Sequence, residues 1–204
     1  MPAKNTAAGA GHFAAARKAM IDSQLRTSGV NEPFVLEAMS RTPREDHVPA
    51  ASRSVAYMDR AVPLADGHAL PPPLFHGRAL AEARPLPSDR ALVVDCGAGC
   101  LPALLQGLAG SVHVVTPAEA SASRKPKVPG DFTLLMIDGA VEQLPDMLGR
   151  LMADDARVVT GLVEGRVTRL AVGRVHRQRI SLMKLAEMGI PRLPEFDLEE
   201  SWSF

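Results

Sequence analysis

The densest chemical signal in this chain is Arg90-Ala-Leu-Val-Val-Asp95-Cys96-Gly97-Ala98-Gly99-Cys100. An aliphatic, partly β-branched run ends in a carboxylate, and a Gly-Ala-Gly turn follows. The residues read as a buried parallel strand that feeds a loop and then a helix. At Gly97, Ala98 and Gly99 a ligand can approach the backbone closely, because the glycines carry no side chain to block it. The alternative for the glycines is a plain strand-to-helix turn. Asp95 stands at a strand's carboxyl end, where ligands of open α/β sheets bind. It can hold the amino group of a nucleotide-like cofactor, directly or through water, or it can cap the next helix.

A second polar point is Asp138-Gly139-Ala140, at the end of another aliphatic run and on the same sheet edge. The small Gly-Ala pair leaves room for a ligand, while Asp138 can cap a helix. Asp59, His68 and His76 are candidates for acid–base chemistry on an irregular stretch; the plainer alternative is an exposed loop residue. Cys96 and Cys100 are the only cysteines. Their spacing is wider than that of common metal-binding pairs, so no metal site is expected. They read as two reduced thiols. Cys100, near a helix start, is either a small core residue or a thiol more readily ionised by the helix.

The elements that must position these residues follow from periodicity. Phe13, Ala16, Met20, Gln24 and Leu25 recur at helical spacing over 12–28, with Gly29 as the stop. A second helix starts at Asn31 as cap, with Pro33 in its first turn, and ends at Pro43. Residues 43–73 hold six prolines and little periodicity, the pattern of a functional connection. A helix follows over 74–83. From residue 90 strands and helices alternate: strands at 91–95, 112–115, 132–137 and 156–163, helices at 101–108 and 141–152, and a weakly structured stretch at 118–130. Hairpin strands are expected at 167–175 and 180–185, and a last strand at 200–204. Alternation of this kind gives a mostly parallel, doubly wound sheet with helices on both faces. The organisation expected is a disordered tail over 1–11, N-terminal helices and an irregular loop over 12–85, and an α/β core over 86–204, forming one compact unit.

Bulk composition narrows the partners. The 204 residues hold 23 Lys plus Arg against 23 Asp plus Glu, so the formal net charge is zero. That balance argues against nucleic acid or an anionic membrane as partner. No signal-peptide pattern and no stretch of about 18 apolar residues is present. A cytoplasmic location is expected.

Several segments together resemble the protein-L-isoaspartate O-methyltransferase family. Met20-Ile-Asp-Ser-Gln24-Leu25-Arg26, Gly29-Val30 and Val35-Leu-Glu-Ala-Met39 resemble its N-terminal helices. Thr42-Pro43-Arg44-Glu45-Asp46-His47-Val48-Pro49 is similar to its proline-bracketed turn. Ala56-Tyr57-Met58-Asp59, Val62-Pro63-Leu64 and Gly67-His68 are similar to the start of its substrate loop. Val93-Val-Asp95-Cys-Gly97-Ala-Gly99 and Ile137-Asp138-Gly139-Ala140-Val141-Glu142-Gln143-Leu144-Pro145 resemble its cofactor motif and a later strand with its following helix. The resemblance implies a Rossmann-like methyltransferase fold. It also implies S-adenosylmethionine as cofactor, a protein or peptide substrate, and methyl transfer to an isoaspartyl carboxylate in protein repair. It assigns Asp95, Gly97, Ala98, Gly99, Thr116, Asp138, Gly139 and Ala140 to the cofactor, and Asp59 and His68 to the catalytic side.

The departures are specific. The family loop reads Gly-Gln-Thr-Ile-Ser-Gln-Pro, and here it is Gly67-His68-Ala69-Leu70-Pro71-Pro72-Pro73, without either hydroxyl. The family's third cofactor-loop glycine is Leu101. The acid that grips the ribose hydroxyls is Thr116, which cannot accept both as a carboxylate does. Glu119, three residues on, either substitutes for it or is a solvated loop acid. Between Gly99 and Asp131 a Pro/Lys/Ser-rich linker replaces a strand and a helix. Three readings follow: a divergent methyltransferase with weak activity, a catalytically silent scaffold that binds a protein partner, and a methyltransferase acting on some other carboxylate or small molecule.

Overall fold

A computed structural model describes residues 5–64, 67–122 and 126–198. Its centre is a six-stranded sheet in the order β4-β3-β5-β6-β7-β8. Strands β3 (Arg90–Val94), β4 (Ser111–Val115), β5 (Phe132–Val141) and β6 (Met152–Glu164) run parallel. Strands β7 (Val167–His176) and β8 (Arg179–Glu187) add an antiparallel meander. Continuous apolar sequence explains the parallel part: Ala91–Val94 and Leu134–Ile137 are at most 1% exposed, which demands cover on both faces. The β7–β8 turn uses Arg177 and Gln178, both at positive φ (49° and 64°), the geometry that suits a two-residue hairpin.

Six helices surround the sheet or lead into it: α1 (Asn5–Met20), α2 (Pro33–Arg41), α3 (Pro73–Ala83), α4 (Cys100–Leu105), α5 (Pro117–Ser121) and α6 (Asp146–Leu151). Helix α3 packs on β6 and β7, α4 on β4 and α2, and α6 on β6 and β8. Between α2 and α3 the proline-rich stretch forms two 3-10 turns and a short antiparallel pair, β1 (Val62–Pro63) with β2 (Ala69–Leu70). No described helix is long and apolar enough to cross a membrane.

Several expectations need correction. Helix α1 begins at Asn5, inside the stretch expected to be disordered, and residues 1–4 lie outside the described residues. It passes through a π turn (Ile21–Leu25) and a 3-10 turn before stopping at Gly29, whose φ is 86°. Asn31 does not cap α2; Glu32 holds the N-cap position and Pro33 opens the helix. The strand at 91–95 is not central. It lies second from the edge, because α5 and the linker after it add no described strand beyond β4. The helix expected over 141–152 is short, since β5 continues to Val141 and pairs Ala140 with Gly161 and Val141 with Leu162. Only after Pro145 can α6 start. The helix expected over 101–108 ends at Leu105, and the stretch at 118–130 opens with a capped helical turn. The strand expected at 200–204 lies outside the described residues.

Candidate functional site

Strand β5 is irregular where it carries its acid. Its register with β6 shifts between Met136, opposite Val159, and Ala140, opposite Gly161. A bulge of this kind re-aims side chains. Here it accompanies an Asp138 that is turned inward and 0% exposed. Asp138 Oδ1 lies 2.7 Å from His76 Nε2, and the Cys96 thiol donates to Oδ2 at 3.2 Å. On the other side of the ring, Arg44 Nη1 donates to His76 Nδ1 at 2.9 Å. Arg44 also donates to the carbonyls of Ala56 and Pro71, and its Nη1 lies 3.8 Å from Cys100 Sγ. Arg44, His76 and Asp138 are all at most 3% exposed. A guanidinium, an imidazole and a carboxylate thus form one buried line from the proline-rich turn through α3 to β5.

The electrostatics follow from that line. Burial disfavours the His76 imidazolium, but the Asp138 carboxylate outweighs burial and pushes the pKa up to about 9. With Arg44 donating to Nδ1, the neutral ring carries its proton on Nε2 and gives it to Asp138. A second proton falls on Nδ1 and requires Arg44 to yield that contact. Burial lowers the Arg44 pKa. Burial, with Asp138 and Asp95 close by, pushes the Cys96 thiol far up, so it stays protonated.

Asp95 closes the glycine loop on itself. Its carboxylate accepts the Gly97 amide at 2.9 Å and the Gly99 amide at 2.9 and 3.1 Å. Burial and the Asp138 charge raise its pKa against these hydrogen bonds. Gly97 has φ 98° and nothing within 4 Å of where a Cβ would stand, so the loop presents open backbone there. His47, not singled out from the sequence, pairs its Nδ1 with the Ala98 carbonyl at 2.9 Å and fixes the loop from the proline-rich turn.

The remaining predicted residues have other partners. Thr116 caps α5 in a reciprocal box with Glu119: its Oγ1 accepts the Glu119 amide at 3.2 Å, and the Glu119 carboxylate accepts the Thr116 amide at 2.9 Å. Glu119 is therefore engaged locally. Asp59 accepts the Leu74 amide at 3.2 Å. Pro72 and Pro73 have no N–H, so Leu74 is the first donor at the start of α3, and Asp59 satisfies it from a distance. His68 Nε2 meets Glu195 Oε1 at 2.8 Å.

Gly139 and Ala140 lie beneath the chain's own C-terminal segment. The Ala140 amide donates to Pro191 O at 2.7 Å, Leu193 N donates back to Ala140 O at 2.9 Å, and Gln143 N donates to Phe196 O at 3.3 Å. A Cβ on Gly139 would stand 2.6 Å from Leu193 Cγ. The room expected for a ligand beside this Gly-Ala pair is taken by Leu193.

The donor set bears on what could bind. Ligand atoms of Asp95, Cys96 and Asp138 lie within 4.8 Å of one another. Their carboxylate oxygens accept protein donors: Asp95 from the Gly97 and Gly99 amides, Asp138 from the Cys96 thiol. The loop at Gly97–Gly99 leaves the Cβ side of Gly97 open, while Asp95 holds the Gly97 and Gly99 amides and His47 holds the Ala98 carbonyl. Gly139 and Ala140 lie under Leu193, and Thr116 is exposed with its hydroxyl tied to Glu119.

Comparison with known proteins agrees with this architecture. The sequence signature described as protein-L-isoaspartate(D-aspartate) O-methyltransferase (PCMT) matches residues 15–123. A protein-L-isoaspartate O-methyltransferase of Koribacter versatilis is 30% identical over 195 residues, covering 85% of this chain and 88% of that protein. The enzyme of the same name from Roseiflexus castenholzii is 36% identical over 111 residues, 54% of this chain; the match spans only 50% of that relative's length. In fold, the chain is similar to a Plasmodium falciparum protein described as a protein-L-isoaspartate O-methyltransferase in complex with S-adenosyl-L-homocysteine. The TM-score is 0.68 at 15% identity, over 90% of this chain and 98% of that one. A second solved protein-L-isoaspartate O-methyltransferase gives 0.66 at 13% identity, over 87% of this chain and 65% of that one. With the family signature spanning more than half of the chain and a relative 30% identical along most of both chains, the chain belongs to the protein-L-isoaspartate O-methyltransferase family.

Proposed function

We propose that this protein transfers a methyl group from S-adenosylmethionine to a carboxylate of a protein substrate, of the isoaspartyl kind, in cytoplasmic protein repair, at a low rate. The observation that carries this reading is the glycine loop. Asp95 holds the Gly97 and Gly99 amides and leaves backbone exposed at a strand's carboxyl end, within a chain of this family. Gly97, Ala98 and Gly99 would receive the methionyl end, with Asp95 behind them. Thr116 would face the adenosyl end, as would Gly139 and Ala140 once Leu193 moves off them, and Asp138 would support that edge from beneath. The cofactor supplies, when bound, an electrophilic methyl group on sulfonium. The substrate carboxylate is already an anion near pH 7, so the protein's work is alignment and exclusion of water rather than base catalysis. Asp59 and His68 then act through the loop they hold.

Low turnover follows from the missing hydroxyls at Ala69 and Pro71. A hydrogen bond to a charged group is worth roughly 1.5–3 kcal/mol, so losing two slows the reaction ~10²-fold or more. The test is transfer of labelled methyl to an isoaspartyl peptide at millimolar S-adenosylmethionine. Slow transfer is expected from the natural protein and faster transfer from Ala69→Thr with Pro71→Ser. Vigorous natural turnover would overturn the low rate. Absence of transfer in both, with the cofactor bound, would favour the second reading: a silent scaffold for a protein partner. Thr116, tied to Glu119, is the observation on that side.

A further inference from the structure

We infer that the C-terminal segment 190–198 is a strap that closes the adenosyl half of the cofactor cleft, and that the cofactor and this strap compete for one place. The inference rests on the cofactor reading above. The strap starts beside β8, pairs Arg192 with Ala140 at the end of β5, and its 3-10 turn (Pro194–Phe196) packs on α5, which follows β4. In the sheet order β4-β3-β5 a segment running from β5 to α5 passes over the end of β3, the strand that leads into the glycine loop.

The strap's underside is apolar and fitted. Leu193 and Phe196 are each 1% exposed, and Ala120 of α5, Gly139 and Ala140 are buried with them. Leu193 sits where any residue but glycine at 139 would collide with it. Gly139 therefore serves the strap in this state, and the same bare backbone becomes available to a flat ring if the strap lifts.

Main-chain hydrogen bonds at Ala140 and Gln143 hold it, the Ile190 amide donates to Thr168 Oγ1 at 2.9 Å and the Leu198 amide to Glu142 Oε2 at 2.8 Å. Arg192 adds an ion pair to Glu142 near the surface, of a kind that contributes little, and pairs within the strap with Asp197. Glu195 is incompletely satisfied: one oxygen meets His68, while the other is buried without a hydrogen-bond partner. An orphaned buried carboxylate oxygen works against the closed position. Because His68 belongs to the loop that resembles the family's substrate loop, lifting the strap also frees that loop.

Two readouts test the strap without relying on turnover. Calorimetric titration with S-adenosylhomocysteine should give at least 10-fold tighter binding to Leu193→Ala with Phe196→Ala than to the natural chain. In the natural chain, hydrogen exchange at the Ala140 and Leu193 amides should quicken on saturation with the same ligand, as the strap leaves. Equal affinities together with unchanged exchange would overturn the strap and leave the cofactor reading standing. Absence of binding in both proteins at millimolar ligand would overturn both. Binding without methyl transfer to any isoaspartyl peptide would overturn the proposed reaction alone.

Discussion

His76 carries the charge balance of the buried site. Two carboxylates, Asp95 and Asp138, face one guanidinium, Arg44, in a region almost without solvent. A protonated His76 evens the count, which is the physical reason the Asp138 carboxylate lifts its pKa to about 9 from the ordinary 6.5. A folded-state pKa above the unfolded one contributes stability that is complete below about 6.5 and is lost as pH rises through about 9. Urea midpoints of the natural protein should therefore fall between those pH values, while those of His76→Gln should stay level across the window. The variant should also be less stable at pH 6 by about 1–3 kcal/mol, since it removes the imidazolium contact to the buried Asp138 carboxylate. Equal slopes for the two proteins would remove His76 as the titrating group. From the sequence, Asp138 was legible as a strand-end acid and His76 as a candidate. Their pairing was not, because Arg44, His76 and Asp138 lie on three separate elements and only packing unites them.

At the scale of elements, local chemistry and close approach each make a prediction. Thr116 and Glu119 cap α5 reciprocally. Thr116→Ala should cost about 1 kcal/mol and lower the melting temperature by about 2–4 °C, as expected for a domain of this size. This box is readable in Thr116-Pro-Ala-Glu119, yet the resemblance drew both residues toward the ribose. Helix α6 is different. A Cβ on Gly149 would stand 2.0 Å from the Gln178 carbonyl, and backbone at a hairpin turn yields little. Gly149→Ala should destabilise by about 1–3 kcal/mol, whereas Gly130→Ala, with nothing within 4 Å, should leave the melting temperature nearly unchanged. Paired melting curves check both. Nothing in the sequence near Gly149 signals that contact, because its partner belongs to the β7–β8 turn.

For the whole molecule, the sheet's asymmetry matters most. β4 has a neighbour on one side only, while β3 and β5 are flanked on both. Amide exchange followed by NMR should be slowest in Leu92–Val94 and Leu134–Met136 and faster in Ser111–Val115. Equal protection in β4 and β3 would mean that something covers the β4 edge in solution. On that side α5 and the Pro/Lys/Ser-rich stretch after it add no described strand, so the open β4 edge and that stretch are one feature.

The sequence by itself determined the alternation of parallel strands and helices, since runs such as Leu92–Val94 have no stable place except between two covering layers. It also determined the glycine loop and its acid, because a positive φ at Gly97 and a backbone left bare are local properties of the residue type. Tertiary structure alone decided what those residues face. Arg44 reaches His76, His47 reaches Ala98, and Leu193 fills the space over Gly139. Each joins residues distant in the chain through a geometry that only the assembled sheet creates, and side-chain spacing along a sequence carries no record of it.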